Sequence, residues 1–141
     1  MQKAIFLIAV LFLAVSSYAQ SGEVEVIVSG INVKNGGILK IGVYEENGFP
    51  TIGKSVARKE IAVSEKEVTV ILKDIPVGTF AIAVFQDEDS NGELNTNFFG
   101  APSEPYGFSN NKYGTFGPPN FADVSFEILE DKLISLIIKM D

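Results

Sequence analysis

The feature that most limits how this chain can fold is a recurring two-residue alternation of apolar and polar side chains. Beyond residue 20 no sustained helical period competes with it. Val24, Val26 and Val28 alternate with Glu23, Glu25 and Ile27. Leu39, Ile41 and Val43 alternate with Lys40, Gly42 and Tyr44, and Val68, Val70 and Leu72 with Thr69, Ile71 and Lys73. Each run gives a strand one face for a core and one for water. Residues 79–85 differ, because Phe80, Ile82 and Val84 oppose Ala81, Ala83 and Phe85; a strand covered on both faces is expected. Residues 56–63 carry Arg58, Lys59 and Glu60, the charges of an edge strand. Alternation resumes at residues 121–128 with Val124, Phe126 and Ile128, and residues 133–140 close the chain.

Turn chemistry separates these runs: Asn35-Gly36-Gly37, Asp74-Ile75-Pro76-Val77-Gly78 and Glu130-Asp131-Lys132. About seven short strands with such turns predict an all-β fold, an antiparallel β-sandwich of the Ig-like or prealbumin-like kind. The 141 residues suffice for one domain, expected over residues 20–141.

Residues 1–19 read as an address. Lys3 precedes an apolar run at residues 4–15, followed by Ser16, Ser17, Tyr18 and Ala19. A basic start, a short apolar core and a small-residue exit predict a secretory signal peptide cut after Ala19. The run is short for a membrane span and has no basic flank after it. The exit has no Cys to take a lipid, so no membrane attachment is expected after cleavage. The expected protein is exported, to the periplasm or the extracellular space.

Charge and missing residue types narrow the chemistry. The formal net charge is −7, and no basic cluster occurs, which argues against nucleic acid as a partner. Without Cys or His there is no thiolate nucleophile, no imidazole base and no imidazole-bound metal. Any metal site must be built from oxygen, which favours Ca²⁺ or Mg²⁺.

Such a site is suggested by Asp87-Glu88-Asp89-Ser90-Asn91-Gly92-Glu93-Leu94-Asn95-Thr96-Asn97. Asp87, Asp89 and Asn91 place oxygens at alternate positions, and Gly92 allows the bend that presents the Glu93 carbonyl. Asn95 or Asn97 would complete the shell, and Glu88 or Glu104 could close it. The twelfth position of a helix–loop–helix calcium site is Phe98 here, and no helices flank the run, so only the ligand half of that motif is present. The alternative is an acidic turn whose Asp and Asn side chains bond neighbouring amides. Ca²⁺ is preferred to Mg²⁺ because a flexible cage of many oxygens suits the larger ion.

Residues 88–120 then form one long loop rich in aromatics, Gly and Pro. Phe98, Phe99, Tyr106, Phe108, Tyr113 and Phe116 are too costly to leave all in water, so a compact flap with some rings exposed is expected. Two uses of the rings stay open: a satellite core that pins the loop, or a platform for glycan or peptide built on Tyr106, Phe108 and Tyr113.

Ile75-Pro76-Val77-Gly78-Thr79-Phe80 ahead of a strand resembles the opening of a strand in transthyretin-like, or carboxypeptidase-regulatory-like, sandwiches. The run from Phe85 to Gly100, with Pro102, Glu104-Pro105-Tyr106-Gly107-Phe108-Ser109-Asn110 and Phe116-Gly117-Pro118-Pro119-Asn120-Phe121, is similar to the DUF2141 family of small exported bacterial proteins. The resemblance covers nearly the whole expected mature chain and implies no activity. Asn95 stands where many members carry Asp, which implies a weaker hold on a cation. A non-enzymatic module, with no catalytic residue assigned, is the expectation; its partner would be an extracytoplasmic protein or glycan.

Overall fold

The computed structural model describes residues 18–141. The expected leader therefore lies outside the described residues, apart from Tyr18 and Ala19. Among the described residues no helix is long and apolar enough to cross a membrane.

The described residues fold into eight strands: β1 (Ser21–Ser29), β2 (Ile38–Tyr44), β3 (Ala57–Ala62), β4 (Glu67–Pro76), β5 (Gly78–Asp87), β6 (Tyr106–Phe108), β7 (Ser125–Ile128) and β8 (Leu133–Lys139). A three-stranded sheet runs β4-β1-β8, and a second sheet runs β3-β2-β5-β6, with β7 also paired to β5. The inward residues are those the alternation selects. Val24, Val26 and Val28 from β1 meet Leu39, Ile41 and Val43 from β2 and Phe80, Ile82 and Val84 from β5 in one buried cluster. This is the all-β sandwich expected from the sequence, with β3 at the edge of its sheet.

Three local features depart from the simple pattern. First, β1 and β8 pair in parallel, with Val24 opposite Ile134 and Val28 opposite Ile138; every other pairing between the strands is antiparallel. Parallel neighbours cannot be joined by a tight hairpin, and the rest of the domain lies between these two in sequence. Second, β4 continues through the expected turn to Pro76, because Asp74 takes a φ of 56°. The pairing of β1 with β4 shifts register there, between Gly22 and Val24. The bulge lets Ile75 turn inward three residues after Leu72.

Third, residues 121–128 are not one strand. Residues Phe121–Val124 form a helical turn, α1, and β7 begins at Ser125. Val124 is buried against the outer face of the second sheet with Ala81 and Phe108, whereas Ile128 faces the main core. The turn carries the chain from one face to the other, so the apparent alternation spans two different environments. The buried Ser109 hydroxyl secures this crossing: it donates to the Val124 carbonyl and accepts the Ile82 N–H at 2.9 Å.

β5 is covered on both faces, as expected of residues 79–85. Its outer face lies under Phe108, Val124, Phe49 and Phe121. That second layer comes from three places, the long loop (Tyr106, Phe108), α1 (Phe121, Val124) and the β2–β3 connection (Phe49), and it determines where a site can form.

Candidate functional site

The acidic run begins where β5 leaves the sheet. Asp87 is fully buried at the end of β5, opposite Ile38 of β2. Its Oδ1 accepts the N–H of Asn91 at 3.0 Å, and its Oδ2 accepts that of Gly92 at 2.8 Å. These two bonds fold residues 87–92 into a tight loop, helped by Ser90 and Gly92 at φ 57° and 87°. Asp89 Oδ2 accepts the side-chain amides of Asn95 at 2.8 Å and Asn91 at 3.2 Å. Asn91 also donates to Asn95 Oδ1 at 2.7 Å, and its own Oδ1 accepts the Glu93 N–H at 2.8 Å.

Glu104 reaches the same place from the far side of the loop. It is buried, with Oε1 accepting the Glu88 N–H at 2.8 Å and Oε2 accepting the Asn95 N–H at 2.8 Å. One carboxylate oxygen from each of Asp87, Asp89 and Glu104 lies within 4.8 Å of the other two. Like charges so close repel, and the surrounding N–H donors offset that repulsion. Lys40 Nζ stands 3.8 Å from Asp87 Oδ2 but is nearer to Glu60 Oε1, at 3.0 Å. Each carboxylate oxygen has lone pairs beyond those the donors use. A group of this composition could hold a hard metal ion.

The acidic run is thus a hydrogen-bonded turn and a cluster of oxygens at once. Of the residues singled out in the sequence, Asp87, Asp89, Asn91 and Asn95 come together, and Glu93 joins through its N–H. Asn97 does not share in this network. Its Oδ1 accepts the N–H groups of Phe99 and Ala101 at 2.9 and 3.1 Å, which caps the neighbouring turn. Glu88 points its carboxylate to Asn35, at 2.9 Å, so Glu104 is the acid that closes the group.

The Asn95 amide holds the Asp89 carboxyl below its ordinary value of 3.8, aided by the Asn91 N–H and opposed by partial desolvation. The folded state therefore favours the charged form. The stability this contributes is present above the ordinary carboxylate value and is lost as pH falls through the lower folded value. Urea melts at a series of pH values between about 6 and about 3 should show Asp89→Asn losing less stability on acidification than the parent.

The three loop rings proposed as a platform pack chiefly on one another. Tyr106 and Phe108 meet edge to face at 5.8 Å between centroids, and Tyr113 lies 5.5 Å from Tyr106. Phe108 is buried, and the Tyr113 hydroxyl donates to the Lys139 carbonyl at 2.7 Å. Tyr113 keeps 38% of its surface exposed, but the loop rings that face water most are Phe98, Phe99 and Phe116, at 97%, 89% and 102%.

Beside the acidic cluster, the outer face of the second sheet holds a cleft of about 570 Å³. Two cross-strand rows supply its floor. One runs Arg58, Gly42, Ala83, Phe108, and the other Glu60, Lys40, Phe85, Tyr106. Gly42 leaves room for the Tyr44 ring, whose Cε2 lies 2.6 Å from where a Cβ would be. Ile52, Phe99 and Phe116 also line it. The cleft is not legible in the sequence, because its residues come from β2, the β2–β3 connection, β3, β5 and the long loop. The available signal was Arg58 on an edge strand and the rings set among Gly and Pro.

The fold and the site define a small β-sandwich with an aromatic flap rooted in a carboxylate cluster. A family profile described as "Uncharacterized protein conserved in bacteria (DUF2141)" matches residues 26–135, and the chain belongs to this family. No curated protein and no solved structure matches it.

Proposed function

We propose that the chain is a non-enzymatic binding module of the extracytoplasmic space whose long loop is fastened at its root by Ca²⁺. The observation that carries this reading is the convergence of the Asp87, Asp89 and Glu104 oxygens within 4.8 Å. A divalent cation would relieve their mutual repulsion, and the amide oxygens of Asn91 and Asn95 and the carbonyl of Glu93 stand in the same loop to complete an oxygen shell. Asn in place of a third loop acid lowers the ligand charge and with it the affinity. Binding at this root would hold the flap and its exposed rings against the sheet. The absence of His and Cys supports a binding role over a catalytic one.

Calorimetric titration of chelator-treated protein with CaCl₂ and MgCl₂ tests the cation. Calcium should give one saturable event and raise the melting temperature, with a gain of about 2.7 kcal/mol at a hundredfold excess over Kd. Asp89→Asn and Glu104→Gln should each weaken or abolish it. No heat and an unchanged melt would remove the metal from the proposal.

A second reading, binding of glycan or peptide through loop aromatics, is favoured by the exposure of Phe98, Phe99 and Phe116. Exposed rings of this size on a folded flap are unusual unless something covers them.

A further inference from the structure

The cleft on the second sheet differs in charge from the molecule that carries it. The chain has a net charge of −7, yet on the two cross-strand rows of the cleft floor the cations Lys40 and Arg58 stand against Glu60 as the one carboxylate. Lys40 is engaged with Glu60 and Asp87. Among the described residues no ion pair uses Arg58, which is exposed at the end of the row Arg58, Gly42, Ala83, Phe108. A guanidinium is a planar fork of donors that matches a carboxylate with two parallel hydrogen bonds.

The remainder of the cleft is apolar and aromatic. Phe85 and Tyr106 lie on its floor, and Phe99 and Phe116 stand at its mouth with almost their whole surfaces in water. The volume is that of pockets which enclose small molecules, where apolar walls supply affinity and a few polar groups set orientation. We infer that the cleft binds a small amphipathic carboxylate, its acid group on Arg58 and its apolar body between the sheet floor and the rings of Phe99 and Phe116. This inference rests on the reading of the chain as a binding module but not on the cation at the loop root. Phe99 and Phe116 would lose exposure as the ligand enters, which gives their positions a use that packing within the loop does not.

The test is a ¹⁵N NMR titration of the protein with decanoate and with 4-phenylbutyrate, each beside its uncharged primary amide. At least one acid should give saturable shifts at the amides of Gly42, Arg58 and Ala83. It should bind about tenfold more tightly than its amide, the advantage expected of one charge-assisted contact. Arg58→Gln should remove that preference while leaving amide binding in place. Phe116→Ala, at a side chain free of the core, should weaken acid and amide alike. Equal binding of acid and amide, a preference that survives Arg58→Gln, or no saturable shifts in the cleft with either acid would overturn the proposal. Repeating the titration with Asp89→Asn separates the two sites: carboxylate binding should persist where calcium binding is lost.

Discussion

Gly37→Ala should unfold the protein or bring it close to unfolding, whereas Gly36→Ala should leave it folded. The two glycines are adjacent in the turn between β1 and β2 and both have positive φ, 64° at Gly36 and 82° at Gly37. Their surroundings differ. A Cβ at Gly36 would meet nothing within 4 Å, so the cost is the left-handed backbone alone, about 1–2 kcal/mol. A Cβ at Gly37 would lie 2.1 Å from the Asp87 carbonyl oxygen and 2.6 Å from the Glu88 Cα. Those are backbone atoms at the root of the acidic loop, and they cannot swing away as the end of a side chain can. The Gly37 carbonyl also accepts the Val63 N–H at 3.0 Å, so moving the turn strains the start of the loop after β3. We expect a loss of more than about 3 kcal/mol. Urea midpoints of the two variants, measured side by side, check this; similar midpoints would show that the turn and the acidic loop can separate freely.

Gln86→Leu is the second substitution expected to have a large effect. Gln86 sits on the core side of β5, in line with Phe80, Ile82 and Val84, and is fully buried. Its side chain is a bracket for the β1–β2 connection. Oε1 accepts the Asn32 N–H at 2.8 Å, while Nε2 donates to the Asn32 carbonyl at 2.7 Å and the Gly36 carbonyl at 2.6 Å. Leucine fills similar space and leaves three backbone groups without their partner. At about 1–3 kcal/mol for each unsatisfied group, reduced where water can reach, a total near 3 kcal/mol is expected. Gln86→Glu sharpens the test, because it turns a double donor into an acceptor facing two carbonyl oxygens. Its loss at neutral pH should be at least as large and should shrink in acid, where the protonated group can donate again. A pH-independent loss equal to that of leucine would show that only the shape of the side chain matters.

Both substitutions act on one junction. Gly37 and Gln86 fasten the β1–β2 connection to the end of β5, where Asp87 begins the acidic cluster and where β2 presents Lys40 towards it. The stability of the sandwich and the geometry of the candidate site are therefore linked through the same few residues.

Most of the core could be read from alternation, because the two-residue period belongs to a single strand and needs no knowledge of its neighbours. Val24, Leu39, Ile82 and their companions point inward for that reason. The exceptions lie where the chain changes faces or direction. Residues 121–128 looked like one strand, yet Val124 and Ile128 are buried on opposite sides of the sheet. β6 was not anticipated within the long loop, since three residues, Tyr-Gly-Phe, are too few to display a period. Gln86, a polar residue at an inward position, would have been the one sequence clue to a buried bracket.

By itself the sequence determined the longer strands, their inner faces, the charged edge at β3 and the succession of oxygens from Asp87 to Asn95. All of these depend on residues a few positions apart, where backbone geometry dictates which side chains share a side. Only the tertiary structure decided that Glu104 closes the carboxylate group, that β1 and β8 run side by side in parallel, and that Phe99 and Phe116 face water while Phe108 does not. The entropy of closing a loop changes slowly with its length, so spacing along the chain does not reveal which distant residues will meet. That choice rests with the packing of the whole sandwich.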